Sequence, residues 1–127
     1  MTKGINSRQK GARGEREWRD RLIAHGYDAR RGQQFSGGPD SPDVVCSLPF
    51  HFEVKRVEKL NIENAVTQSE GECGDKMPVV AHKKNRGQWL VTMPERVFFS
   101  LLKDKEKVYE ANQGTLRQED KHRQRAG

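Results

Sequence analysis

Apolar residues recur along the chain at two spacings, and these spacings predict a series of helices and strands. From Lys10 to His25 the spacing is helical, and Gly26 is a typical residue to end that helix. Tyr27 to Arg31 and Val44 to Cys46 are predicted to be short strands. Phe50 to Val57 alternates strictly between apolar and polar residues, which indicates a longer strand.

The second half of the chain continues with a helix, a hairpin and a last helix. Asn61 is a typical N-cap for a helix whose apolar residues recur as far as Cys73. Val79 to Lys83 and Gln88 to Thr92 flank a four-residue turn and predict a β-hairpin. Pro94 suits the first turn of a final helix. The predicted order is αβββαββα, an α/β fold.

One carboxylate interrupts the apolar face of the first helix. Glu15 falls in the middle of the face formed by Trp18, Leu22 and Ile23. Burying a charge is unfavourable unless it has a partner, so this position predicts either a functional carboxylate or a paired one. The alternative is that Glu15 faces solvent in the first turn and stabilises the helix N-terminus. The helix alone leaves both open.

The long strand places its charged side chains on one face. Phe50, Phe52 and Val54 form the apolar face, which we expect to be buried and to fix the register. The opposite face carries His51, Glu53 and Lys55. A solvated strand face would look the same, so this pattern alone is weak evidence for a site.

Two aspartates precede this strand in a loop rich in Gly, Ser and Pro. Asp40 precedes Ser41 and Pro42 and is predicted to lie in the turn. Asp43 opens the strand that begins at Val44, so a rigid element holds it. We therefore choose Asp43, and not Asp40, as the aspartate of a candidate acidic site that includes Glu53.

Charge and composition narrow the class of protein. The 127 residues suit one domain, with 33% charged and 32% hydrophobic residues and a net charge of +6. Residues 1–31 hold nine Lys/Arg against four Asp/Glu, so the basic excess is N-terminal and suits a polyanion such as DNA. We expect a flexible basic arm over 1–9, a folded domain over 10–103 and a charged, disordered tail over 104–127.

Neither a membrane span nor a zinc site is expected. No apolar run approaches the roughly 20 residues that a span needs, which predicts a soluble, cytoplasmic protein. Cys46 and Cys73 are far apart and form no CxxC motif, so free thiols are expected.

The order of elements and motifs resembles the PD-(D/E)xK nuclease superfamily, and within it the archaeal-type and phage Holliday junction resolvases. The motifs that carry the resemblance are Lys10-Gly11, Glu15-Arg16, Ser36-Gly37, Pro42-Asp43 and Glu53-Val54-Lys55. The resemblance implies a restriction-endonuclease-like core, in which helices flank a mixed central β-sheet.

The resemblance also implies roles for individual residues. Asp43, Glu53 and the backbone carbonyl of Val54 would bind a divalent metal, Mg²⁺ with Mn²⁺ as a substitute. Lys55 would orient or deprotonate the attacking water, or stabilise charge on the phosphate. Glu15 would act near the metal and water, and is a further candidate ligand. Hard oxygen ligands suit Mg²⁺, which polarises a phosphodiester and generates the nucleophile.

Ten residues are predicted to contact DNA: Lys10, Arg13, Arg16, Arg30, Arg31, Ser36, Gln68, Lys83, Lys84 and Arg86. Some of them have an equally good alternative explanation. Ser36 would be an ordinary turn serine, Gln68 a surface residue, and the basic residues of the hairpin a solvated turn. The expected function is paired nicking of four-way DNA junctions by a homodimer. The alternatives are a nuclease of this fold in repair, restriction or packaging, and a non-catalytic DNA-binding module.

Overall fold

A computed structural model of the protein describes residues 7–32 and 43–106, with side chains from residue 11 onward. Its helices and strands are, in order, α1 (Ser7–Ala24), β1 (Ala29–Arg31), β2 (Val44–Cys46), β3 (Phe50–Arg56), α2 (Ile62–Glu72), β4 (Met77–Lys83) and β5 (Leu90–Thr92). Residues 95–106 are also helical. The predicted order is confirmed, and where the ends of an element differ they do so by one to three residues.

The chain divides into two compact units, Met1–Pro94 and Glu95–Gly127. The first contains a five-stranded sheet in the order β1-β2-β3-β4-β5. All neighbouring strands are antiparallel except β3 and β4, which are parallel and joined by the crossover helix α2. The predicted α/β class with a mixed central sheet is therefore confirmed.

Both helices of the first unit have the local signals expected of them. The chain leaves α1 through Gly26, whose φ of 93° favours glycine. At the start of α2, the side chain of Asn61 accepts a hydrogen bond from the backbone N–H of Asn64, as an N-cap does. These short-range signals explain why the two helices were predictable.

α1 packs on one face of the sheet. Trp18 meets Phe52 edge to face, with ring centroids 5.6 Å apart, and it also contacts Trp89 at 5.2 Å. Leu22 completes this buried face, but Ile23 is 51% exposed. The prediction that Ile23 joins the core face is wrong, because the buried stripe is narrower than the apolar pattern of the helix.

α2 covers the opposite face of β3 and β4. The hydroxyl of Ser69 donates to the backbone carbonyl of His51 at 3.1 Å, and both residues are fully buried. The polar face of β3 is consequently interior, with Glu53 only 2% exposed. The alternative of a solvated strand face is therefore excluded for Glu53, because a parallel strand pair with a crossover helix is covered on both faces.

The structure also bears on the expectations for the two cysteines and for membrane spans. Cys46 and Cys73 are free, as expected. Across the described ranges, none of the helices has the length and apolar character needed to cross a bilayer.

Candidate active site

Two carboxylates meet where β2 begins beside β3. The backbone N–H of Asp43 donates to the carbonyl of Phe52 at 3.0 Å, which fixes Asp43 at the end of the β2–β3 ladder. Its Oδ2 accepts the N–H of Val54 at 2.8 Å. The side chain of Asp43 thus lies against the backbone of the Glu53-Val54-Lys55 motif. The sequence predicted that the strand opened by Asp43 lies beside this motif.

The electrostatic state of Asp43 reports on the neighbouring carboxylate. Burial, and next the charge of Glu53, raise the pKa of Asp43 from 3.8 to about 6, although the Val54 N–H and the charge of Lys55 act in the opposite direction. Two carboxylates close together in a largely dry position repel each other. A divalent cation between them would remove that repulsion, so the donor set fits Mg²⁺ or Mn²⁺.

A lysine stands beside the carboxylates on the same face of β3. The Nζ of Lys55 donates to Oε1 of Gln68 at 3.2 Å. Gln68 lies on α2, so the crossover helix holds the end of a long side chain that would otherwise move freely. Two N–H donors of the ammonium group stay available for water or a phosphate oxygen. The structure thus shows Gln68 as a contact of Lys55, and its predicted contact with DNA stays a prediction.

Glu15 lies on the α1 side of the sheet, and it is 6% exposed. Its Oε2 accepts hydrogen bonds from Arg31 at 2.9 and 3.1 Å. Arg31 ends β1, and the next residue, Gly32, donates its N–H to the backbone carbonyl of Asp43 at 2.9 Å. Glu15 is thus buried, and its partner Arg31 lies on the strand that neighbours Asp43.

Gly14 explains how α1 comes this close to the sheet. A Cβ built on Gly14 would lie 2.9 Å from the Cβ of Arg56 and 3.6 Å from Cγ1 of Val54. The helix backbone therefore rests on β3 next to Glu15 without an intervening side chain. This close approach sets the height of Glu15 above the sheet.

Sequence reasoning left two residues out of the site. Nε2 of His51 lies 3.3 Å from Oε1 of Glu53 and 3.8 Å from Oε2 of Glu72. The strand alternation placed His51 on the face of Glu53, and Glu72 follows Gln68 by one helical turn. Both signals are present in the sequence. The sequence does not show, however, that α2 covers this face of β3.

The predicted DNA-contact residues are spread over two regions of the first unit. Arg13 and Arg16 are exposed on α1, and Arg13 pairs with Glu17 at 3.2 Å. Arg30 is exposed on β1. Lys83 is partly exposed at the end of β4, and Lys84 and Arg86 are exposed in the turn that follows it. Arg31 is engaged with Glu15, and the Lys10 side chain, Ser36 and Asp40 lie outside the described residues.

The chain is similar to known proteins both in sequence and in structure. Residues 6–126 match the model of a family described as "Phage putative PDDEXK endonuclease". The structure is similar to that of Hjc, a Holliday junction resolvase from the archaeal hyperthermophile Archaeoglobus fulgidus. That match has 27% identity and a TM-score of 0.48, and covers 64% of this chain and 73% of Hjc. No curated protein matches.

Proposed function

The chain belongs to the PDDEXK endonuclease family, and from this premise we propose that it is a metal-dependent endonuclease that hydrolyses DNA phosphodiesters. The observation that carries the proposal is the carboxylate pair of Asp43 and Glu53 beside Lys55. The charge of Glu53 and a hydrogen bond between the two side chains both raise the pKa of Asp43, so the two carboxyl groups are adjacent. A surface that only bound DNA would gain nothing from carboxylates among its basic residues.

Asp43, Glu53 and the carbonyl of Val54 would hold Mg²⁺, with Mn²⁺ as a substitute. When bound, the ion polarises the phosphodiester and activates the attacking water. The N–H of Val54 holds the carboxylate of Asp43 in place, so this ligand is oriented before an ion arrives. An ammonium group in the position of Lys55 can orient the water or stabilise negative charge on the phosphate.

Glu15 has a supporting role in this proposal. Its carboxylate is bound to Arg31, and the backbone of β1 links that pair to Asp43. We place Glu15 near the metal and its water, because the family motif puts a glutamate there. The two hydrogen bonds from Arg31 offset part of the cost of burying the carboxylate.

The specific substrate we propose is a four-way DNA junction, cut by a homodimer in paired nicks. The order and spacing of the motifs from Lys10 to Lys55 support this, together with the exposed arginines of α1 and the basic turn after β4. These cations would contact phosphates on either side of the cut and make binding depend steeply on salt.

The direct test is cleavage of a synthetic four-way junction in Mg²⁺, with a linear duplex and a flapped duplex of the same sequence beside it. We expect symmetrical nicks in the junction, which Asp43→Asn abolishes. Asp75→Asn is the matched control, because Asp75 is an exposed aspartate in the link between α2 and β4. It should cut like the wild type.

Other outcomes point to the two alternatives. Equal cutting of all three substrates would favour a nuclease of this family with a repair, restriction or packaging role. No cutting in Mg²⁺ or Mn²⁺, with salt-dependent DNA binding retained, would favour a DNA-binding module and contradict the proposal.

A further inference from the structure

A histidine and two glutamates converge between β3 and α2, on the side of Glu53 that faces α2. One donor atom from each of His51, Glu53 and Glu72 lies within 4.8 Å of the others. We propose that these three side chains bind a divalent transition-metal ion, at a site separate from the Mg²⁺ site and joined to it through Glu53. The donors themselves define this site, whatever reaction the protein catalyses.

The fold holds the three donors in place before an ion binds. His51 and Glu53 are two residues apart on β3, so both point to the face that α2 covers. Ser69 anchors α2 to the backbone of His51 at 3.1 Å. Glu72 follows Ser69 by three residues, which puts its side chain on the same face of the helix.

The distances between donors suit coordination. Nitrogen and oxygen ligands bind Zn²⁺ at about 2.1 Å, so two ligands of one tetrahedral or octahedral ion lie about 3.0–3.4 Å apart. Nε2 of His51 is 3.3 Å from Oε1 of Glu53, within that range, and 3.8 Å from Oε2 of Glu72. The side chain of Glu72 is 28% exposed, so it can move closer to the other two donors, and water can reach the remaining coordination positions.

A second observation points to a ligand at this histidine. The imidazole of His51 is fully buried, and its Nε2, which faces both carboxylates, has among the described residues one long hydrogen-bond contact, to Glu53 at 3.3 Å. An ion at Nε2 would leave Nδ1 as it is, without a hydrogen-bond partner among those residues. An ion bound at Nε2 would give the ring a strong partner and would neutralise the two carboxylates aimed at it.

The presence of a histidine selects the class of ion. Imidazole suits Zn²⁺, Co²⁺, Ni²⁺ and similar ions, whereas Mg²⁺ takes oxygen ligands. The catalytic site proposed above has only oxygen donors, and the second site has one nitrogen and two carboxylates. The two sites should therefore be distinguishable by metal preference, even though both include Glu53.

Co²⁺ is the probe, because its visible absorption reports nitrogen ligation. The full chain, stripped of metal, would be titrated with Co²⁺ in excess Mg²⁺, with calorimetry to measure affinity. We expect one equivalent to bind to the wild type and to Asp43→Asn. His51→Gln and Glu72→Gln should each weaken binding by about tenfold or more. Controls are His25→Gln and Glu63→Gln, at exposed positions on α1 and α2, which should bind like the wild type.

Three results would overturn the proposal. They are a wild type that retains no Co²⁺ beside Mg²⁺, an affinity that Glu72→Gln leaves unchanged, and loss of Co²⁺ in Asp43→Asn. The first would leave His51 as a hydrogen-bond partner of Glu53, the second would exclude Glu72 as a ligand, and the third would place the ion in the catalytic site. Glu72 is partly exposed at the end of its helix, so its variant tests the site even if His51→Gln does not fold. Cleavage is not measured, so the outcome is independent of the nuclease proposal.

Discussion

Replacing Asp43 with asparagine should make the metal-free protein more stable while it abolishes cleavage. Burial and the charge of Glu53 raise the pKa of Asp43 from 3.8 to about 6, so ionisation of Asp43 opposes folding. That difference corresponds to about 3 kcal/mol. Asp43 retains some exposure to water, so we expect an effect of about 1–3 kcal/mol at pH 8. Asparagine removes the charge, and its side-chain oxygen can still accept the Val54 N–H.

The sign of the pH dependence follows from the direction of the shift. Because the folded-state pKa is raised, the stability that protonated Asp43 contributes is fully present below about pH 4 and is lost as the pH rises through about 6. The advantage of Asp43→Asn over the wild type should therefore be largest above pH 6 and should shrink towards pH 4.

The assay is thermal unfolding in a chelator, followed by the fluorescence of Trp18 and Trp89. At pH 8 we expect Asp43→Asn to raise the Tm by about 4–12 °C. Asp43→Ala should be less stable than Asp43→Asn by about 1–2 kcal/mol, because the Val54 N–H loses its acceptor. Adding Mg²⁺ should stabilise the wild type more than Asp43→Asn. An Asp43→Asn protein that is less stable than the wild type at pH 8 without metal would refute the repulsion between the carboxylates.

Three further changes test the surroundings of the site. Gly14→Ala should lower the free energy of unfolding by about 1–3 kcal/mol in urea titrations, because its Cβ would lie 2.9 Å from a β3 side chain. Gly11 has open space around it, so Gly11→Ala should raise the free energy of unfolding by up to about 1 kcal/mol. Arg31→Gln should destabilise the fold by about 2 kcal/mol, because buried Glu15 loses this cation. Adding Glu15→Gln should recover part of the lost stability, and a double-mutant cycle measures this coupling. Lys55→Met should abolish junction cleavage in gel assays and leave junction binding within about threefold, since one phosphate contact contributes little to total affinity. Equal effects of the two glycine variants, no recovery in the double variant, or normal cleavage without the lysine would contradict the respective predictions.

Local signals made most of the elements predictable. The N-cap at Asn61, the glycine after α1 and the alternation in β3 each act over a few residues, so they can be seen in the sequence. The strand-bound Asp43 was chosen over Asp40 for a similar reason, since it directly precedes a run of apolar residues. Its hydrogen bond to Val54 supports that choice. Asp40 lies outside the described residues, so the comparison between them stays a prediction.

What the sequence could not provide was the packing of helices on the sheet. Whether Glu15 is buried depends on how closely α1 approaches β3, and Gly14 sets that approach through a contact 40 residues further along the chain. The inclusion of Glu72 depends in the same way on the side of the sheet that α2 crosses. Neither can be inferred from spacing, because a spacing defines a helix face but does not identify what packs against it.

The burial of Glu53 changes the weight of the motif around it. A glutamate and a lysine two residues apart are common on solvated strands, where each charge is hydrated and has no need of a partner. Glu53 is 2% exposed, so that explanation no longer holds. A carboxylate in such a position is unfavourable unless something compensates for its charge, and the groups around it are a second carboxylate, a histidine and a lysine. Because another carboxylate adds to the repulsion, a bound cation is the compensation that this arrangement of side chains accommodates best. The burial, more than the spacing, is therefore what makes this weak sequence pattern a candidate metal site.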